Sequence, residues 1–162
     1  MKKLNATALA VLMTAGLITA SYAQTNTTSK LVTTCGALEG MSYFVPNDTM
    51  PDDKAGWTQD KLSPGGVGLV KDGDNYDLLF VNTMIGTFSV TERGFTLRKI
   101  IDDPDKGILI LSVTNPKAAH DSYFFKLDKE GNGEVLWSNF KWGGAADKGS
   151  LMTGICINRQ TD

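Results

Sequence analysis

The sequence is poor in the residues that most often do chemistry: it has one histidine, His120, two cysteines, Cys35 and Cys156, and no Cys-x-x-Cys spacing. A zinc site draws three or four ligands from His, Cys and carboxylates at suitable spacing, and this supply cannot fill one. A nucleophilic cysteine needs a basic partner within hydrogen-bond reach, and a single histidine is a thin source. There is no Gly-x-Ser-x-Gly elbow to present a serine nucleophile. Basic charge is not in excess either: 16 Lys and Arg stand against 18 Asp and Glu, scattered among one another. Nucleic-acid binding is excluded on that ground, because neutralising phosphates takes a clustered basic surface. Proline is scarce, and neither an internal repeat nor a low-complexity tract is present. The composition does not fit collagen, coiled coil or disorder.

Long apolar runs are also missing. The longest, Ala8–Ala20, is broken by Thr14, Gly16 and Thr19 and falls short of the roughly 20 residues that cross a bilayer. It follows Lys2 and Lys3 and precedes Ser21-Tyr22-Ala23, the order of a secretory signal peptide cleaved after Ala23. The expected location is periplasmic or extracellular, with no stable membrane insertion after cleavage. No cysteine stands at the cleavage point to take a lipid. Removing 23 of 162 residues leaves 139, one domain's length. Lys2 and Lys3 are the only charges removed, so 14 basic residues remain against 18 acidic, a net of −4.

In an oxidising compartment two cysteines most simply form one disulfide. A Cys35–Cys156 bridge closes a loop of 121 residues, 156 minus 35, and ties the two ends of the domain together. The chain divides into a signal peptide at 1–23, a polar Thr-rich leader at 24–34, a β domain at 35–158 and a tail at 159–162. From Cys35 to Val45, Leu38, Met41 and Val45 recur at helical spacing, so one short N-terminal helix is possible, with a strand as the other reading. Residues 46–66 hold three prolines and three glycines, the composition of a long surface loop.

From Val67 onward, short segments rich in Val, Ile, Leu, Phe, Tyr and Thr alternate with turns such as KDGDN, DDPDKG and KEGNG. This grammar predicts an all-β fold, a single antiparallel domain of about seven to eight strands, as a small barrel or sandwich. In Phe95–Ile101 one face is apolar and the other wet. The segment Ile108–Asn115 is apolar on both faces, with Leu109, Leu111 and Val113 opposite Ile108 and Ile110, and Tyr76–Asn82 behaves likewise. Such strands are expected to be covered on both sides within the chain.

Among candidate chemical groups, His120-Asp121-Ser122 names the three members of a triad. Consecutive residues of an alternating strand cannot relay protons, and His120 is read as an exposed turn residue. Asp128, Glu130 and Asn132 mimic the opening of a calcium loop that then lacks its twelfth-position glutamate. Gly131 and Gly133 are explained by a hairpin turn. No catalytic residue, metal or cofactor is assigned. The aromatic residues are the best binding candidates: Trp57 in the long loop and Trp137, Phe140 and Trp142 on one strand, where Trp137 has the opposite parity to Phe140 and Trp142. The expected function is a non-enzymatic binding module, its partner a protein, an envelope component or a small apolar ligand. The alternative is an envelope-polymer hydrolase using paired carboxylates.

Overall fold

The computed structural model describes residues 29–62, 65–82, 86–144 and 146–158. The expected signal peptide, leader residues 24–28 and the 159–162 tail lie outside the described residues. Eleven strands are formed among the described residues: β1 Lys30–Cys35, β2 Leu38–Phe44, β3 Gly56–Leu62, β4 Gly65–Asp72, β5 Asn75–Asn82, β6 Gly86–Ser89, β7 Thr96–Asp103, β8 Ile108–Asn115, β9 Ala119–Leu127, β10 Gly133–Lys141 and β11 Lys148–Ile157. All pairings are antiparallel, and the sheet curls into a half-barrel in the order β6-β5-β4-β1-β11-β10-β9-β8-β7. From β5 onward the hairpin connections are short enough to force antiparallel neighbours.

β11 organises the rest. One edge pairs with β10 along its length, and the other is shared by two strands laid end to end. Cys35 of β1 faces Cys156, while β2 runs from Glu39 opposite Thr153 to Phe44 opposite Lys148. The Gly36 amide keeps contact across the break by donating to the Ile155 carbonyl at 2.9 Å. Beyond this divided strand, β4 pairs with β1, and β3 pairs with β2 as a separate wing.

Three sequence expectations change here. No helix forms over Cys35–Val45: β1 takes only the last two residues of the β11 edge, and the backbone groups from Lys148 to Thr153 require partners that β2 supplies. Gly40 suits this position because a side chain there would collide with the backbone carbonyl of Leu151. The leader does not extend to residue 34, since β1 begins at Lys30 and Thr33 is fully buried. The irregular loop after Pro46 ends at Ala55 and β3 begins at Gly56, so 46–66 is not one loop. These extra strands raise the count from the seven or eight expected to eleven.

Inward-pointing residues make the core. Leu109, Leu111 and Val113 of β8, Tyr123 and Phe125 of β9, Val135 and Trp137 of β10, and Met152 of β11 meet Val67, Leu69 and Leu78 from β4 and β5. Rings bridge the interior: Phe80 lies edge-on to Tyr123 at 6.2 Å, and Tyr123 sits 6.4 Å from Trp137. Cys35 and Cys156 are bonded and buried, joining β1 to β11 directly. That bond is compatible with an oxidising location outside the cytosol. Among the described residues the expected internal cover of the second face is only partial. Ile110 is only half-buried, while Val81, Phe124, Leu136 and Leu151 are exposed on the outside of the sheet.

Candidate functional site

The half-barrel has a polar row inside and an aromatic row outside, both built by strand register. The inner row crosses five strands: Asp60 on β3, Ser42 on β2, Ser150 on β11, Asn139 on β10 and Asp121 on β9. Ser42 is paired with Ser150, Ser150 with Asn139, and Asn139 with Asp121. At one end Lys148 Nζ donates to Asp60 Oδ2 at 2.6 Å, and the Ser42 hydroxyl donates to the same oxygen at 2.7 Å. Ser42 Oγ lies 2.7 Å from Ser150 Oγ. A hydroxyl has one proton, and Ser42 spends its own on Asp60, so Ser150 donates to Ser42. The Lys148 ammonium, with help from Ser42 and the Lys61 amide, holds the Asp60 carboxyl down at about 2.

At the other end Asp121 is buried, and its Oδ1 accepts Trp137 Nε1–H at 2.8 Å and Asn139 Nδ2–H at 2.7 Å. Burial raises its pKa above the ordinary aspartate value, partly offset by those two donors. Burial likewise pushes the Tyr123 phenol well above its usual range. Asn139 Oδ1 and Tyr123 Oη have no hydrogen-bond partner among the described residues. Alternation explains the failure of the His-Asp-Ser triad: Asp121 points inward, while exposed His120 points out to Thr114 Oγ1, 3.0 Å from its Nδ1. His120 thus sits on β9, not in a turn. Asp60 and Asp121 differ in acidity as an acid and base pair would. They stand four strand spacings apart, about 19 Å along the curved sheet, whereas a two-carboxylate hydrolysis needs roughly 5 to 10 Å.

The outer row collects most of the aromatic candidates. Trp57 on β3 faces Tyr43 on β2, with the rings 5.5 Å apart and edge-on. Tyr43 faces Gly149 on β11, and Gly149 faces Phe140 on β10. Phe140 lies 6.3 Å from Trp142, just beyond the strand. Trp57 is 66 % exposed and Phe140 52 %. Gly149, between Tyr43 and Phe140, has no side chain, and the Phe140 ring lies over it, 3.7 Å from where a β-carbon would stand. Met41 and Leu151, paired with each other, lie beside this row, and Leu136 faces Phe124 one step further along. All four of these apolar residues are exposed. Trp137 does not belong to this surface: it is 3 % exposed, packs in the core and serves Asp121. Tyr43, Met41 and Leu151 were missed from sequence. The alternation of β11 could have flagged Leu151, but the register with β2 lies more than 100 residues away.

The acidic turns use their oxygens locally. Asp128 Oδ1 accepts the amides of Glu130 and Asn132, and Asp103 binds the amide and ammonium of Lys106. Gly131 has a φ of 89°, as the hairpin reading requires. Compared with protein-family models, with curated proteins and with solved structures, the chain finds no match.

Proposed function

We propose that this chain is an exported, non-enzymatic binding module that recognises its partner through the outer row of Trp57, Tyr43, Phe140 and Trp142. The observation that carries the reading is the continuity of this row across β3, β2, β11 and β10, with Trp57, Tyr43 and Phe140 exposed and Trp142 half-buried beside Phe140. Contiguous apolar surface costs solubility, and soluble domains keep it where something binds. Aromatic side chains provide large contact area for little conformational entropy, which suits them to recognition. The partner class is a protein or envelope component offering an apolar group to these rings. The signal-peptide order of the first 23 residues and the disulfide support export to the periplasm or beyond.

Immobilised protein should retain a component from envelope extract that is released when Trp57 and Phe140 are both changed to alanine. Equal retention by the double variant, with its native circular dichroism intact, would refute the assignment of the surface. Intact mass of the protein from its own host should begin at Gln24 with the two thiols oxidised.

A further inference from the structure

We infer that the free edge of β3 is a self-pairing edge, so that two copies join antiparallel about Gln59 and continue one sheet across the dimer. This goes beyond the binding reading and does not depend on it.

Among the described residues, β3, β6 and β7 end the sheet. β6 has four residues, and Arg93 lies over its Phe88 ring. β7 is interrupted by a register shift between Lys99 and Ile101, an irregularity that turns an edge away from further pairing. β3 differs from both. Its seven residues pair with β2 without a shift, from Gly56 opposite Phe44 to Leu62 opposite Leu38, and it contains no proline. A regular edge of this length is a template for another strand; the Lys61 amide on it already donates to Asp60 Oδ1 at 2.8 Å and must be released for pairing.

Edges are ordinarily guarded by charge, either an inward acid or an outward lysine. β3 carries one of each, and both are already compensated within the chain. Asp60 is held by Lys148 and Ser42 on the inner side, and Lys61 is paired with Glu39 on the outer side. A strand arriving at this edge therefore meets charges that already have partners, with Lys61 and Glu39 both more than half exposed.

The residues of β3 also complement their own reversal. A two-fold axis through Gln59 places Gln59 opposite Gln59 of the second copy, Thr58 opposite Asp60, Trp57 opposite Lys61 and Gly56 opposite Leu62. All seven positions pair, no like charges face each other, and each Asp60 gains a hydroxyl donor. The Lys61 ammonium of one copy comes beside the Trp57 face of the other, a cation–π arrangement. Shifting the axis to Asp60 sets two carboxylates directly opposite, which is destabilising. Shifting it to Thr58 leaves Lys61 and Leu62 without partners. Among the self-pairings of β3 the charges thus select one register.

Sedimentation equilibrium of the intact protein should show a monomer–dimer equilibrium. Gln59→Lys, at an exposed position, brings two ammonium groups together only in the dimer and should weaken association at least tenfold, while circular dichroism stays unchanged. In Gln59→Cys, opposed β-carbons about 5 Å apart should give a covalent dimer on equilibration with oxidised glutathione. Lys61→Cys should not, because its two copies lie about 13 Å apart along the strands. A monomer at every concentration, a dimer indifferent to Gln59→Lys, or cross-linking of Lys61→Cys as readily as Gln59→Cys would each overturn the pairing.

Discussion

Changing Lys148 to methionine isolates the electrostatic part of the inner row. The substitution keeps the aliphatic stem that crosses toward the Phe44 ring, where Nζ lies 5.2 Å from the centroid, but removes the ammonium 2.6 Å from Asp60. The carboxyl moves from 3.8 to about 2 in the folded protein, which at 1.36 kcal/mol per unit is a net of about 2.4 kcal/mol after the opposing cost of burial. Since 24 % of the Asp60 side chain and 18 % of that of Lys148 remain exposed, solvent screening brings the expected loss at neutral pH to about 1–2 kcal/mol. A carboxyl with a lowered folded pKa stabilises the fold above its unfolded value of 3.8, and that stability is lost as pH falls through about 2. Urea unfolding of both proteins should therefore show a difference at pH 7 that shrinks by more than half at pH 2. Titration of Asp121 is common to the two proteins and cancels. In an Asp60→Asn background the effect of Lys148→Met should largely disappear. A difference as large at pH 2 as at pH 7 would mean that Lys148 acts through packing on Phe44, and would refute the ion-pair account.

Asp121 should show the opposite dependence. Its raised folded pKa means the native state holds the proton longer than the unfolded chain, so stability falls as pH rises from 3.8 through the raised value. Urea midpoints for Asp121→Asn, whose amide oxygen still serves Trp137 and Asn139, should lack that fall. Removing the disulfide by Cys35→Ala with Cys156→Ala should lower stability by up to about 4 kcal/mol, because a 121-residue loop is released in the unfolded chain. Denaturant titration of the oxidised protein against this variant checks it.

The strands from β4 onward were legible because turn residues bound them within a few positions and their segments are rich in β-branched, aromatic and other apolar residues. KEGNG predicts the turn that Gly131 and Asp128 then form. β1 to β3 were not legible, for a physical reason. Their inward positions include Thr33, Gly40, Ser42 and Asp60, polar or small residues that break the apolar alternation. The strand character of β1 and β2 comes from the edge of β11, more than 100 residues later, and β3 pairs in turn with β2. The parity of β10 separated Trp137 from Phe140 and Trp142. Which parity faces inward became visible only when Trp137 met Asp121 and Tyr123.

Local chemistry thus determined the class of fold, the hairpin succession and the partnership of Cys35 with Cys156, since turns, alternation and a lone pair of thiols are properties of short segments or simple counts. The tertiary structure decided the rest: the division of the β11 edge between β1 and β2, the meeting of Asp60 with Lys148, and the alignment of Trp57, Tyr43 and Phe140. Each depends on cross-strand register, and register is set by which distant backbone groups find hydrogen-bond partners once the sheet curls.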